Sequence, residues 1–326
     1  MMTPTNQDDL RAIHTPVMLA ECIQYLSPAL AGDGGLYVDA TCGIGGHIEG
    51  ILSACPQARA IGIDRDTHAL ELAARRLGPA ASRVTFVHAD YDRIGDIIAE
   101  HAEPASAILF DLGVSSLQID DTSRGFSYMR DAPLDMRMDQ DSGPSAADVV
   151  NEYSEAELTR IVRTYGEEPF AQRIARAIVR ERTSRPFSRT HELAEVAARA
   201  VPQAVQARRG HPAKRLFQAI RIEVNHELAI LETAIPAAIS ALRPGGRIVV
   251  MSYHSLEDRI VKHAFAQAAR DSSPEGLPVP LPGHEPVLRL LTRGALRAGA
   301  DEIARNPRSA SVRFRAAERE PSRGNS

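Results

Sequence analysis

The chain has 326 residues, of which 44% are hydrophobic and 25% charged, and its formal net charge is −4. This composition is typical of a globular protein with one large domain or two smaller ones. No apolar run approaches the roughly 20 residues that a membrane span needs, and the acidic start MMTPTNQDDL lacks the order of a signal peptide. The three cysteines form no CxxC pair, which argues against a disulfide framework or a structural zinc site. We therefore expect a cytoplasmic protein without a membrane partner or a metal.

The charge is distributed unevenly along the chain. Residues 111–157 carry eleven acidic and three basic side chains, whereas residues 160–221 carry thirteen arginines and Lys214 against five glutamates. The local excess of about nine positive charges predicts a surface that faces phosphates. The alternative interpretation is a solvated, arginine-rich helical face.

Short apolar runs alternate with helical stretches over the first 114 residues. Helices are expected over 47–54, 67–77 and 94–101, with Asp66 or Thr67 as the N-cap of the second. The strand-like runs are 36–38, 61–63, 84–87 and 108–110, and they end at or near Asp39, Asp64, Asp90 and Asp111. Repeated alternation with fully apolar strands predicts a parallel sheet covered by helices on both faces.

The alternation then stops for about a hundred residues. Helical patterns occur near 155–165, 170–182 and 190–200, with Thr190 as an expected N-cap. A long helix is expected from Ala213 to about Leu242, interrupted or bent at Pro236. A turn and a strand in "RPGGRIVV" and two β-rich runs, 286–293 and 311–317, restore the α/β pattern.

These patterns predict an α/β fold with a doubly wound, mostly parallel sheet and an inserted helical domain. Residues 1–118 and 213–318 would form the discontinuous domain that contains the sheet. Residues 119–212 would form an inserted helical, RNA-facing domain, and 319–326 a disordered tail.

The segment "VDATCGIGGH" (38–47) reads as a strand, a glycine-rich turn and a helix. Gly43, Gly45 and Gly46 would let the backbone approach a ligand, although such turns also serve only to pack a helix on a strand. Asp64 follows Gly43 by 21 residues, where an acidic side chain can accept both hydroxyl protons of a ribose. Together these features predict an adenosine-containing cofactor at the carboxyl ends of the strands.

The spacing of the glycines favours S-adenosylmethionine over a dinucleotide. The third glycine that a pyrophosphate needs would fall at Ile48, and S-adenosylmethionine has no phosphate. In "HADYD" (88–92), Asp90 and Tyr91 could flank an adenine by hydrogen bonding and stacking. The late "LRPGGRIVV" strand and the terminal pair of β runs also match the layout of dehydrogenases less well than that of methyltransferases. The predicted fold class is therefore the doubly wound, mostly parallel sheet of the class I S-adenosylmethionine-dependent methyltransferases.

Seven longer segments, spread in order from His14 to Arg315, make the resemblance specific. They are "HTPVMLAE" (14–21), "DATCGIGGH" (39–47), "DLGVSSLQIDD" (111–121), "RGFSYMRDAPLDMRM" (124–138), "HPAKRLFQAIRIEVNHEL" (211–228), "SYHSLEDRIVK" (252–262) and "NPRSASVRFR" (306–315). The chain closely resembles the bacterial 16S rRNA cytosine-N4 methyltransferase family, also known as the MraW or RsmH family. That resemblance implies methyl transfer from S-adenosylmethionine to the exocyclic N4 of a cytidine in the decoding centre of the small ribosomal subunit.

The resemblance also implies a set of cofactor contacts, carried over motif by motif. Tyr91 takes an aromatic position on the adenine side where phenylalanine is expected in many members, and tyrosine keeps the stacking face. The implied cofactor residues are Gly45, Gly46, His47, Asp64, Tyr91, Asp111 and Gln118.

Methyl transfer from a sulfonium needs no metal and little acid–base help, so positioning and electrostatics should dominate. Asp111, at the end of the fourth strand, could accept a hydrogen bond from the N4 amino group. Alternatively, Asp111 binds only the cofactor, and a backbone carbonyl in 112–115 contacts the base. "SYHSLEDR" (252–259) is expected at the end of the next strand in the sheet, beside Asp111. There, Tyr253 and His254 are candidate contacts to a flipped base. Ser255 is more simply explained as a helix cap.

Arg208, Arg209, Lys214 and Arg215, around His211-Pro212, are the expected contacts to RNA phosphates. "FSYMRDAPLDMRM" (126–138) is expected to be a packed cover over the cofactor cleft, or alternatively a lid that closes on substrate. The expected partner is 16S rRNA within the small subunit, not DNA, and a homodimer is possible. The alternatives are an enzyme of this fold acting on DNA or a small molecule, and a non-catalytic RNA-binding factor.

Overall fold

The structure is a computed structural model. It describes residues 15–32, 34–115, 118–119, 121, 123–140, 142–273 and 284–321, so most of the predicted disordered tail lies outside the described residues. The chain divides into two compact units. The first combines residues 1–113 with 228–326, and the second is 114–227.

A seven-stranded sheet forms the centre of the first unit, in the order β3-β2-β1-β4-β5-β7-β6. The first five strands pair in parallel, and β7 runs antiparallel between β5 and β6. The strands are β1 (Leu36–Asp39), β2 (Arg59–Asp64), β3 (Val84–His88), β4 (Ala105–Asp111), β5 (Leu242–Ser252), β6 (Leu288–Leu290) and β7 (Arg313–Arg319). The predicted doubly wound, mostly parallel fold is confirmed.

Helices flank this sheet, and those predicted over 47–54, 67–77 and 94–101 lie within one residue of these bounds. They are α1 (Leu19–Leu30), α2 (Gly46–Ala54), α3 (Thr67–Leu77), α4 (Ile94–Glu100), α11 (Glu227–Ala241), α12 (Ser255–Ala268) and α13 (Ala300–Arg305). Asp66 caps α3, as predicted, by accepting from the backbone N–H groups of His68 and Ala69.

The central strands are buried on both faces, which is why they read as continuous apolar runs. In β4, Ala107 and Leu109 face one hydrophobic cluster, while Ile108 and Phe110 face another on the opposite side. The strand order reverses between β1 and β4, where connections leave toward opposite faces. In sheets of this kind, ligands bind at the carboxyl ends of the strands beside that point.

The "RPGG" turn is built into the start of β5 as an irregularity. Ala105 pairs with Leu242 and Ala107 pairs with Arg247, so residues 243–246 stand opposite Ser106 alone. Gly245 has a φ of 73°, a conformation that glycine adopts without a Cβ penalty. The remainder of β5 then runs in register with β4 up to Asp111, opposite Met251.

The second unit is helical. Its core is formed by fully buried aliphatic side chains, among them Leu158, Ile161, Ile174, Ile178 and Leu216. Its helices are α5 (Ala146–Glu152), α6 (Glu155–Thr164), α7 (Ala171–Arg182), α8 (Thr190–Ala200), α9 (Gln203–Arg209) and α10 (Ala213–Asn225). The unit is longer than the insert expected over 119–212, because α10 packs its apolar face into this core.

Two local predictions in this region are wrong. The expected single helix from Ala213 is broken at His226, whose φ of 51° lets its N–H close α10 on Ile222 and Glu223, while Pro236 lies inside α11. Histidine is among the residues that tolerate this left-handed conformation best. Thr190 is the first residue of α8 rather than its cap; its hydroxyl donates to the Arg130 carbonyl and accepts from the Ala132 N–H.

No helix within the described ranges is both long and apolar enough to cross a membrane.

Candidate cofactor site and active site

Three carboxyl groups and a tyrosine meet at the carboxyl edge of the sheet in the first unit. Asp39, Asp64 and Asp111 end β1, β2 and β4, and Tyr253 follows β5 directly. The closest contact joins the Tyr253 hydroxyl to Asp111 Oδ1 at 2.6 Å. Parallel strands end at one edge of a sheet, so residues far apart in sequence form one site.

The glycine-rich loop between β1 and α2 is held by Asp64. The Gly43 N–H donates to Asp64 Oδ2 at 2.7 Å, and the Asp66 N–H donates to Oδ1 at 2.9 Å. Gly43 has a φ of 50°, and a Cβ built there would meet only the Thr41 carbonyl at 4.0 Å. The backbone is therefore open to a ligand at Gly43.

The other two glycines of the loop are required by packing. A Cβ on Gly45, whose φ is 75°, would lie 3.2 Å from Ala73 Cβ of α3. A Cβ on Gly46 would come within 2.7 Å of the Pro16 side chain. Packing thus explains why Gly45 and Gly46 carry no side chain, and their expected contacts with the cofactor stay predictions; at Gly43 the backbone leaves space for a ligand.

Gly45→Ala is expected to lower the free energy of unfolding by about 1–2 kcal/mol, because an L side chain in this left-handed conformation is strained. Urea unfolding of the unliganded protein would measure the change. Gly95→Ala in α4 is the matched control: its Cβ would meet Ala237 at an ordinary 3.6 Å, so we expect no loss of stability. Equal behaviour of the two variants would contradict the strain at Gly45.

Asp111 lies in a largely enclosed position, with 17% of its side chain exposed. Its backbone N–H donates to Thr41 Oγ1 at 2.7 Å, and its Oδ2 faces His47 Nδ1 at 3.8 Å. Burial raises the pKa of Asp111 to about 7; the hydrogen bond from Tyr253 opposes this rise, and the charge of Glu257 adds to it. A carboxyl group with such a pKa can take up and release a proton near neutral pH.

His47 is buried beside Asp111 and is held in one tautomer. Its Nε2 lies 3.0 Å from the Val17 carbonyl, which can only accept, so Nε2 carries the proton. Burial lowers the pKa of His47, which favours the neutral ring. The lone pair of Nδ1 is therefore on the side of Asp111 Oδ2, at 3.8 Å.

The three carboxyl groups give the site an excess of acidic character. Burial raises the pKa of Asp39 and of Asp64 to about 6, and that of Asp111 to about 7. Within the described part of the chain, no lysine or arginine forms an ion pair with any of the three. A buried acidic cluster of this kind favours a cationic ligand over an anionic one.

Tyr91 lies beyond the end of β3, in the short 3₁₀ turn Tyr91–Arg93. Its ring contacts Phe110 of β4 edge-on, with centroids 5.7 Å apart. Asp90, beside it, is paired with Arg65 at 2.7 Å. The aromatic ring thus lies next to the strand that ends in Asp111.

The start of α12 corrects the expectation for Ser255. The N-cap is His254, whose Nδ1 accepts from the Glu257 N–H at 3.4 Å, and Ser255 is the first helical residue. Glu257 completes the capping box by accepting from the backbone N–H of Tyr253 and of His254. His254 therefore orders the helix start, whereas the Tyr253 hydroxyl is directed at Asp111.

Gln118 lies in the second unit, buried, with its side-chain oxygen accepting from the Ser115 N–H at 3.0 Å. Its expected role toward the cofactor stays a prediction. Of the four expected phosphate contacts, also in the second unit, Arg208, Arg209 and Lys214 are exposed. Arg215 instead pairs with Glu168, whose side chain is fully buried, and also donates to the Arg209 carbonyl.

Ion pairing reduces the positive excess that the sequence shows over 160–221. The paired arginines of this stretch are Arg160, Arg176, Arg185, Arg189, Arg199, Arg215 and Arg221. Arg208, Arg209 and Lys214 remain as an exposed basic group around the α9–α10 connection, and Arg163, Arg173 and Arg180 are also exposed elsewhere in this stretch.

Asp39 and Thr41 are site residues that the sequence did not single out. Asp39 accepts from the Tyr37 hydroxyl and the Thr41 N–H, and Thr41 in turn accepts from Asp111. Asp39 carries the same sequence signal as Asp64 and Asp111, because all three end an apolar strand. The hydrogen bond between Asp111 and Tyr253 had no signal in the sequence, where 142 residues separate them.

Comparison with known proteins decides the family. The sequence model of the MraW methylase family matches residues 11–320 of this chain. The chain belongs to the MraW methylase family. A relative from Beutenbergia cavernae, named ribosomal RNA small subunit methyltransferase H, is 56% identical over 98% of this chain and 96% of its own length. A relative of the same name from Nocardioides is 56% identical over 94% of this chain and 96% of its own length. The family is S-adenosylmethionine-dependent, which confirms the predicted cofactor.

A solved rRNA methylase from Streptococcus thermophilus is 11% identical, aligning over 93% of this chain and 94% of that one with a TM-score of 0.41. The fold is established here by the strand order and pairing of this chain.

The described residues fit S-adenosylmethionine, which carries a sulfonium and an ammonium group. The carboxyl groups of Asp39, Asp64 and Asp111 complement positive charge, and the open backbone at Gly43 leaves room for the ligand. Asp64 keeps free lone pairs for ribose hydroxyls after accepting from Gly43 and Asp66. An anionic dinucleotide would place phosphates beside these same carboxyl groups.

Proposed function

We propose that the protein methylates the exocyclic N4 of a cytidine in the decoding centre of 16S rRNA, within the small ribosomal subunit and in the cytoplasm. The Asp111–Tyr253 pair is the observation that carries this proposal, because the Asp111 carboxylate is suited to accept the proton that the amino group must lose. The names of the 56%-identical relatives support small-subunit rRNA as substrate. The ordered motifs of the sequence support cytosine N4.

Cytosine N4 is a poor nucleophile, because its lone pair is delocalised into the ring. An acceptor hydrogen-bonded to an N4 proton localises that lone pair and stabilises the positive charge that grows on nitrogen. Asp111 Oδ2 is the acceptor in our proposal, since Tyr253 occupies Oδ1. When bound, S-adenosylmethionine supplies a methyl group on a positively charged sulfur, which leaves as a neutral thioether.

Asp111 then receives the N4 proton as the new nitrogen–carbon bond forms. His47 supports this step because its Nδ1 lone pair, on the side of Oδ2, favours the protonated carboxyl group over the carboxylate. Tyr253 holds the carboxylate by its short hydrogen bond, and in our proposal its ring contacts the base. Asp111 thereby acts on the base, although its contact to the cofactor is the competing assignment.

Incubation with labelled S-adenosylmethionine and small subunits that lack the modification, followed by nucleoside mass spectrometry, tests the proposal. We expect N4-methylcytidine at one position of 16S rRNA. A different methylated nucleoside, or label in protein, would refute cytosine N4 as the target. Parallel reactions on naked 16S rRNA and on DNA would show whether the assembled subunit is required.

The exposed cations Arg208, Arg209 and Lys214 are proposed to contact RNA phosphates. Replacing all three by alanine should weaken binding to the small subunit and reduce the slope of log K against log salt by about 2–3, since each phosphate contact releases counterions. Filter binding at several salt concentrations would measure this slope. The control is Arg293→Ala/Arg297→Ala, two exposed arginines of the first unit. A loss of S-adenosylmethionine binding with an unchanged RNA slope would contradict the assignment.

A further inference from the structure

An exposed methionine lies at the tip of a turn in the second unit. Met129 is 80% exposed, more than any other large hydrophobic side chain in the described ranges. The segment around it, "FSYMRDAPLDMRM", otherwise packs on its own helical core, since Leu134 and Met136 are buried there. Met129 therefore departs from its surroundings, and core packing does not explain it.

The turn is held in place on both sides of Met129. On one side, the Tyr128 ring stacks on His211 with centroids 5.4 Å apart and contacts Phe217 edge-on at 5.9 Å. On the other side, the Arg130 carbonyl accepts from the Thr190 hydroxyl. The methionine is thus presented by an anchored backbone, so its exposure is a fixed feature of the fold.

The stacked rings offer a second contact of the same kind. His211 is exposed, and its Nδ1 accepts from the Ala213 N–H at 3.2 Å. A neutral ring in this tautomer carries its proton on Nε2, which has no partner among the described residues. An exposed aromatic face beside a free N–H donor can stack a base and donate to an oxygen on a base edge.

Positive charge accompanies this apolar and aromatic group. Arg208 and Arg209 end α9 directly before His211, Lys214 follows it, and Arg130 follows Met129; all four are exposed. Helix α9 carries no acidic residue, and neighbouring Asp131 is paired with Arg189. A protein partner of ordinary composition would gain little from such a charge pattern, whereas an RNA strand is complementary to it.

We propose that Tyr128, Met129 and His211 form a contact for an unpaired nucleobase of rRNA, with Arg208, Arg209 and Lys214 binding the adjoining phosphates. The inference rests on the proposed function, and it adds a base contact in the second unit to the site at the sheet edge. Aromatic side chains and apolar wedges recognise splayed or unstacked bases in many RNA- and DNA-binding proteins. Met129 and His211 bind the base, and Tyr128 holds both in position.

Met129→Ser and His211→Ala, singly and combined, test the base contact in the full-length protein. The combined variant should bind small subunits that lack the modification about 5- to 150-fold more weakly, the range expected for loss of one base stack. The affinity should fall by the same factor at every salt concentration, because no phosphate contact is lost. The salt slope thereby separates these variants from the Arg208/Arg209/Lys214 variant, whose slope falls.

Leu290→Ser is the matched control, since it removes another exposed large apolar side chain, in β6. We expect it to leave RNA affinity unchanged, and all variants should keep S-adenosylmethionine affinity. Wild-type protein that binds and methylates the subunit, with unchanged affinity in the combined variant, would overturn the base contact alone. Failure of the wild type to bind would instead refute the proposed function. If Met129→Ser changes sedimentation rather than RNA affinity, the surface joins two copies of the chain and the proposal is wrong.

Discussion

Asp111→Asn should lower kcat by about 10²- to 10⁴-fold, the range for loss of a positioned proton acceptor. Asparagine keeps the shape of the side chain, and its oxygen can still accept from the Tyr253 hydroxyl, but an amide cannot take the N4 proton. Single-turnover methylation of small subunits would measure the chemical step. The fold should be retained, because the change is isosteric.

The same variant separates the two roles considered for Asp111. If the carboxylate acts on the base, calorimetry should find S-adenosylmethionine affinity changed only a few-fold while kcat collapses. If Asp111 serves only the cofactor, the dissociation constant should rise and kcat at saturating cofactor should recover. That second outcome would remove Asp111 from the chemistry and leave a backbone carbonyl in 112–115 as the base contact.

The pH dependence of the wild-type enzyme gives an independent check. Asp111 must be a carboxylate to accept the proton, and its pKa of about 7 belongs to the unliganded protein, so kcat/KM for S-adenosylmethionine should rise with pH through about 7. The Tyr253 hydrogen bond lowers that pKa, so Tyr253→Phe should move the rise to higher pH. A profile that is flat from pH 6 to 8 would contradict Asp111 as the proton acceptor.

The sequence predicts the carboxyl edge of the sheet well, because the pattern that marks a strand end lies within a few neighbouring residues. An apolar run that ends in aspartate marks both a buried strand and its carboxyl end, so Asp64 and Asp111 were placed without a structure. The residue that lies beside Asp111 is determined by the strand order, because β5 pairs with β4 although the whole second unit separates them in sequence. Tyr253 was therefore expected near Asp111, but the 2.6 Å hydrogen bond was not.

Residue type alone does not predict the exact helix ends or which cations are exposed. Ser255 looked like a cap by residue type, but the backbone begins α12 one residue earlier, so His254 takes that role. Four neighbouring cations looked equivalent, but one of them is committed to a glutamate 47 residues away. Whether a charge faces solvent or a buried partner depends on tertiary packing, which a count of arginines does not contain.

Arg215→Met is expected to lower the free energy of unfolding by about 3–5 kcal/mol, because it would leave the buried carboxylate of Glu168 without its partner. Glu168 also accepts from the Phe170 N–H at the start of α7, so the loss would reach the helical core. Urea unfolding, followed by circular dichroism, would measure the change. Arg208→Met is the control: as an exposed side chain it should alter stability by no more than about 0.5 kcal/mol.

A double variant distinguishes a buried charge from a general packing defect at this position. Adding Glu168→Gln to Arg215→Met removes the uncompensated charge, so it should recover part of the lost stability even though both members of the pair are gone. If Arg215 served mainly as a phosphate contact, Arg215→Met would instead weaken RNA binding at unchanged stability, as expected for Arg208. The same substitution thus decides whether the basic group at the α9–α10 connection has three members or four.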